Sequence, residues 1–119
     1  MGDNAELAEG VMLLTPFAAD AKDEKTQTFT AAYQEAYDGA TPNQFAADAY
    51  DAIYIIKAAI EQAEATPDMS VSDLCEALKV AMTEITVEGV TGTMTWDASG
   101  EPTKEPKAMV IKDGAYSAV

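Results

Sequence analysis

The chain has 119 residues, 48% hydrophobic and 24% charged, which suits one globular domain able to bury about two-thirds of the surface its unfolded form exposes. Its seven lysines, with no arginine, stand against 21 acids and give a formal net charge of -14. Nucleic acid and anionic lipid are therefore disfavoured as partners, because like charges repel, and the acidity reads as surface solubility. There is no histidine to activate the lone cysteine, and no apolar run approaches the roughly 20 residues of a membrane helix.

Residues 1–8 read as a linker ahead of residues 9–119, and Met1-Gly2-Asp3-Asn4 has neither the basic nor the apolar region of a signal peptide. Gly10 to Thr15 is a continuous apolar run stopped by Pro16, the pattern of a strand buried on both faces. Asp20 or Asp23 can cap a helix whose apolar positions Phe29, Ala32, Tyr33, Ala36 and Tyr37 recur at helical spacing. Gly39 is placed to end it as a left-handed cap.

Thr41-Pro42-Asn43 opens a second helix, from about Gln44 to Ala63, with Phe45, Ala49, Ala52, Ile53, Ile56, Ala59, Ile60 and Ala63 on one stripe. Tyr50 and Tyr54 widen that surface, so the helix is expected to pack on two sides. After a polar linker containing Pro67, Ser70 or Ser72 can cap a third helix with Val71, Leu74, Cys75, Leu78, Ala81, Met82 and Ile85 on one face. There Cys75 would act as a small hydrophobe.

The closing stretch predicts a short strand around Thr93 to Trp96, a turn over Asp97-Ala98-Ser99-Gly100, a strand from Lys107 to Lys112 and a tight hairpin at Asp113-Gly114. The fold class is thus α/β: strand, three helices, strand and C-terminal β-hairpin.

Chemistry is sparse. Acids, five tyrosines and a few lysines supply no activated nucleophile and no proton shuttle of the usual kind, so the chain reads as a non-enzyme with no cofactor. Asp48 and Asp51, three apart near a helix start, could share a face and hold a hard cation; ordinary first-turn acids favoured by the helix dipole explain them better. Asp97, Ser99 and Glu101 alternate like the oxygen ligands of a calcium loop, but Pro102 stands where that loop needs glycine. No metal site is expected.

From Glu9 to Val119 the order and wording of six pieces resemble the C-terminal portion of the type I periplasmic binding proteins, the branched-chain amino acid (Leu/Ile/Val) receptors of ABC importers. The pieces are EGVMLLTPFA, AAYQEAYDG, PNQFAADAYDAIYIIKAAIEQA, SVSDLCEALKVAM, GVTGTMTWDASGEP and AMVIKDGAY, and their agreement in order and spacing carries the likeness. Met1-Gly2 ahead of such text looks like an artificial start.

The resemblance implies a partial type I fold in which the chain crosses between two lobes near Thr15 to Phe17 and near Thr95 to Asp97. The helices would fall in one lobe and the strands in the other. It further implies that Phe45, with Gln44 beside it, contacts a small amino acid in the cleft, and that Thr15, Pro16 and Trp96 serve as hinge positions. The whole protein would be periplasmic or extracellular, membrane-associated, and would deliver its ligand to an ABC transporter permease. A piece of this kind would bind ligand weakly or not at all, and a domain-swapped dimer or other homodimer would cover its uncovered apolar faces. The alternative is an independent acidic structural or interaction module that forms a homodimer. For Phe45 a packing role at the helix start, and for Trp96 a role in core packing, stand beside the functional readings.

Overall fold

The computed structural model describes residues 6–119, so the reading of Met1 to Asn4 lies outside the described residues. The elements follow in the order β1 (Met12–Thr15), α1 (Glu24–Ala36), α2 (Gln44–Gln62), α3 (Val71–Met82), β2 (Val87–Gly89), β3 (Gly92–Met94), β4 (Lys107–Lys112) and β5 (Ala115–Ala118). They form two compact units: unit 1 holds residues up to Ala47 with Glu105–Val119, and unit 2 holds Asp48–Lys104. Helix α2 begins in the first and continues in the second.

Unit 1 is an antiparallel sheet in the order β1-β4-β5 with α1. Met12 pairs with Val110 and Leu14 with Ala108, while Ile111 pairs with Tyr116. Asp113 and Gly114 both take positive φ, 51° and 74°, as a two-residue hairpin turn that follows the strand twist requires. Thr15, Met109 and Ile111 are buried on the inner face. Here β1 departs from the sequence expectation: it is covered on one face only, and Met12 and Leu14 are 64% and 70% exposed.

Asp23 caps α1 by accepting a hydrogen bond from the Thr26 N–H at 2.9 Å. At the other end Asp38 and Gly39 are both left-handed, and Gly39 N–H donates to the Gln34 carbonyl at 2.8 Å, closing the helix with a six-to-one bond. Asp38, not Gly39, takes the first left-handed position. Thr26 and Phe29 are the buried residues of α1, and Phe29 meets Phe17 edge-on at 5.7 Å. Ala32, Ala36 and Tyr37 of the expected stripe are exposed.

Unit 2 packs α2 and α3 with the β2–β3 hairpin. Ala59, Ile85, Val87 and Met94 form its buried cluster, with Ile55, Leu78, Met82 and Trp96 packed against them. Each large apolar side chain so buried stabilises the unit by about 1.5–3 kcal/mol relative to exposure. Strand β2 was not foreseen; its three residues are too few to show an alternating pattern.

The buried face of α2 is not the expected stripe. Ala47, Asp51 and Ala59 are buried and Ile55 and Ala58 half-buried, whereas Phe45, Ala49, Ile53, Ile56 and Ile60 face solvent. The physical reason is the β2–β3 turn, whose backbone donors need an acceptor: the Asp51 carboxylate, 1% exposed, takes the Val90 N–H at 2.8 Å, the Thr91 N–H at 2.9 Å and the Thr91 hydroxyl at 2.6 Å. A side chain on Gly89 would collide with that carboxylate. The helix therefore turns its acid inward and Ile53, Ile56 and Ile60 outward.

Ser70 caps α3 by accepting from the Asp73 N–H at 3.2 Å, and its hydroxyl donates to the Asp73 carboxylate at 2.7 Å. Cys75 and Val71, expected on the apolar face, are exposed; the helix meets its unit through Leu78, Ala81 and Met82 instead. The grouping of elements also differs from helices in one lobe and strands in the other. Helix α1 belongs with β1, β4 and β5, and the β2–β3 hairpin belongs with α2 and α3. Among the described residues no helix is long and apolar enough to cross a membrane.

Candidate binding cleft

Unit 1 contains a cleft of about 950 Å³, within the range of small-molecule sites. Leu13 and Thr15 of β1 and Met109 of β4 form its floor, Thr30 and Gln34 of α1 one wall, and Gly114 to Tyr116 another. The segment from Thr41 to Phe45, which turns the chain into α2, completes it.

Local chemistry fixes that last segment. Asn43 caps α2 through its side-chain oxygen, which accepts from the Ala46 N–H at 3.0 Å, so the two amides just ahead of Ala46 lie at the uncompensated start of the helix. The Thr15 hydroxyl donates its one proton to Gln44 Oε1 at 2.8 Å, the nearer of its two possible acceptors, and accepts from the Phe17 N–H at 3.3 Å. One buried threonine thus ties the end of β1 to the first residue of α2. Phe45, next along, is 71% exposed at the cleft. At that exposure it does not staple the helix start onto a core.

The lining is uncharged apart from Asp20, whose Oδ2 accepts from the Ala118 N–H at 3.1 Å. Nearby, burial works against the ionised form of Asp23, but the Thr26 hydrogen bonds and the Lys107 charge outweigh it and hold the carboxyl below the usual range. The cleft is therefore suited to a ligand gripped by hydroxyls, amides and aromatic or apolar surface.

Of the residues singled out from the sequence, Thr15, Gln44 and Phe45 are brought together in this cleft, and Pro16 stands half-buried beside Thr15. Trp96 is in unit 2, bridged to Pro102 and packed on the Ala59 and Met94 cluster, which is the core-packing role. The unit boundaries, between Ala47 and Asp48 and between Lys104 and Glu105, do not coincide with Thr15, Pro16 or Trp96. Sequence reasoning missed Asp20, Thr30, Gln34 and Thr41, and also Tyr116, which lines the cleft 54% exposed.

The acids weighed as cation ligands are occupied otherwise. Asp48 pairs with Lys104 at 2.7 Å, while Asp51 binds the hairpin turn. Asp97 Oδ1 accepts from the Ser99 hydroxyl, the Ser99 N–H and the Glu101 N–H, and these bonds, the Ser99 hydroxyl first, lower its pKa. Among the described residues no group of three or more potential metal ligands gathers.

Residues 2–115 match the family described as periplasmic binding protein. Comparison with the curated proteins finds no match. Among solved structures the chain is similar to one described as a branched-chain amino acid ABC transporter from Rhodospirillum rubrum, at 34% identity and a TM-score of 0.68 over 94% of this chain and 31% of that one. It is similar to an ABC transporter substrate-binding protein from Desulfitobacterium hafniense in complex with Leu, at 24% identity and a TM-score of 0.78 over 98% of this chain and 33% of that one. A third is a solute-binding protein of an ABC transporter from Rhodopseudomonas palustris in complex with 3,4-dihydroxybenzoic acid, at 21% identity and 0.78 over 100% and 31%. The chain spans about a third of the length of these structures.

Proposed function

Because the chain belongs to the periplasmic binding protein family, we propose that it is part of an extracellular solute-binding protein that captures a small amino acid of the branched-chain type and hands it to an ABC importer. The observation that carries this reading is the exposed Phe45 ring at a cleft with a mainly uncharged lining, beside the start of α2. An aromatic ring gives an aliphatic side chain a contact surface, and a helix start offers free N–H groups to a carboxylate. The 34% identity to a branched-chain amino acid transporter protein supports the ligand class.

In this reading Phe45 touches the ligand, while Gln44, held by Thr15, orders the helix start. The work is capture, not catalysis. The whole protein acts outside the cytoplasmic membrane, with a permease as its partner. By itself the chain holds only part of the contacts and binds weakly; its exposed isoleucines on α2 favour self-association at high concentration.

The reading is tested by calorimetry on a complete two-lobed protein carrying this segment, titrated with leucine, isoleucine and valine and, as a contrasting ligand, 3,4-dihydroxybenzoate. The amino acids bind and Phe45→Ala weakens them by about tenfold or more, the scale of losing one aromatic anchor. Preference for the aromatic acid, or indifference to Phe45→Ala, would sink it.

A further inference from the structure

Helix α2 carries an acid close behind its ligand-facing start. Asp48 lies three residues beyond Phe45 and four beyond Gln44, so its Cα stands about 6 Å along the axis from the start of the helix, where two amides lie uncompensated ahead of the Asn43 cap bond. A ligand carboxylate drawn to those amides would meet a fixed negative charge within about one Debye length, roughly 8 Å at physiological salt. Lys104 answers that charge. Its Nζ meets Asp48 Oδ1 at 2.7 Å from 56 positions away in the chain, with the two side chains 25% and 40% exposed. The pairs Lys57–Glu61 and Lys79–Glu76 differ in kind, since each joins well-exposed neighbours on a single helix. The backbone ahead of Lys104 is also anchored: the Thr103 N–H donates to the Thr95 carbonyl at 2.8 Å, and Pro102 is bridged to Trp96.

We infer that Lys104 sets the affinity for the ligand's carboxylate: by cancelling the Asp48 charge it lets the start of α2 receive an anionic group. The inference rests on the proposed function above and adds to it a residue outside the cleft, since neither Asp48 nor Lys104 lines it. A partly exposed ion pair contributes little to folding stability. The field of an uncompensated charge, by contrast, falls off only with the inverse of distance. In a chain of net charge -14 with seven lysines, a lysine placed against this acid changes the local potential where an anion would be held.

The test is calorimetry on a complete two-lobed protein carrying this segment, titrated with leucine and with leucinamide, which keeps the amine and the side chain but lacks the carboxylate. Lys104→Met weakens leucine by about 3- to 30-fold at low salt, the scale of one unit charge roughly 8 Å away at an effective dielectric constant of about 20–80, and by less at high salt. Leucinamide binding stays the same or tightens. Lys104→Arg keeps the leucine affinity, and the double variant Asp48→Asn with Lys104→Met, which removes both charges, restores it to within about twofold. Equal losses for leucine and leucinamide, a double variant as weak as Lys104→Met, or indifference to Lys104→Met would each overturn the inference. Indifference in a protein that binds leucine overturns this inference alone, whereas a wild-type protein that takes no leucine overturns the functional reading and this inference with it.

Discussion

Unit 2 encloses a carboxylate among its own hydrogen-bond donors, whereas unit 1 leaves aromatic and apolar side chains exposed. In unit 2 the Asp51 carboxylate is enclosed with three hydrogen-bond donors from one hairpin turn. In unit 1 Asn43, Phe45 and Tyr116 stand exposed around a cleft, and Met12 and Leu14 stand exposed behind it. Substitutions at the enclosed carboxylate should therefore cost stability, and substitutions at the exposed cleft residues should cost little of it.

The largest effects belong to the Asp51 clamp. Asp51→Ala leaves the Val90 and Thr91 N–H groups buried without an acceptor, an expected loss of about 2–4 kcal/mol, and Gly89→Ala, which drives a methyl into the carboxylate, should cost as much. Urea unfolding measures both; a loss below about 0.5 kcal/mol, the range of ordinary surface changes, would show that the hairpin holds itself. Thr91→Val removes only the hydroxyl donor and should cost about 1 kcal/mol. Lys104→Met breaks the partly exposed pair with Asp48, with a change within about 1 kcal/mol.

By contrast Phe45→Ala in unit 1 should alter the stability of the isolated chain by no more than about 0.5 kcal/mol. A loss on the scale of the clamp would mean that its ring packs after all.

The smallest effect is a pH dependence at the Asp97 turn. Its carboxyl titrates below the ordinary value because the Ser99 hydroxyl and N–H and the Glu101 N–H favour the ionised form. A folded pKa below the unfolded one means that its contribution is present above the unfolded value and lost as pH falls through the folded one. The turn should therefore loosen only in acid, and Ser99→Ala should move the midpoint of Asp97 back upward in a carbon-detected titration. A midpoint unmoved by Ser99→Ala would assign the shift to the backbone donors alone.

What the sequence made legible was local. The Asp23 and Ser70 caps and the Asp113-Gly114 turn depend on neighbours within a few positions, and each stands as read. The orientation of α2 was not legible, because it is set by Val90 and Thr91, some 39 and 40 residues from Asp51. A signal did exist: Asp51 lies four residues from both Ala47 and Ile55, an acid in line with apolar positions, and Gly89 leaves it room. Phe45 and Gln44 came from resemblance. Asp20, Thr30, Gln34 and Tyr116 could not have, since the cleft gathers them from separate segments that share no motif.

The most direct measurement is a leucine titration by calorimetry into this chain alone, beside the same titration into a complete two-lobed protein that contains it. A cleft furnished from one side should give no measurable heat, or an affinity weaker by about a hundredfold or more, as expected when a cleft loses the contacts of its second wall. Equal affinity in the two would contradict the account, because unit 1 would then hold the entire site.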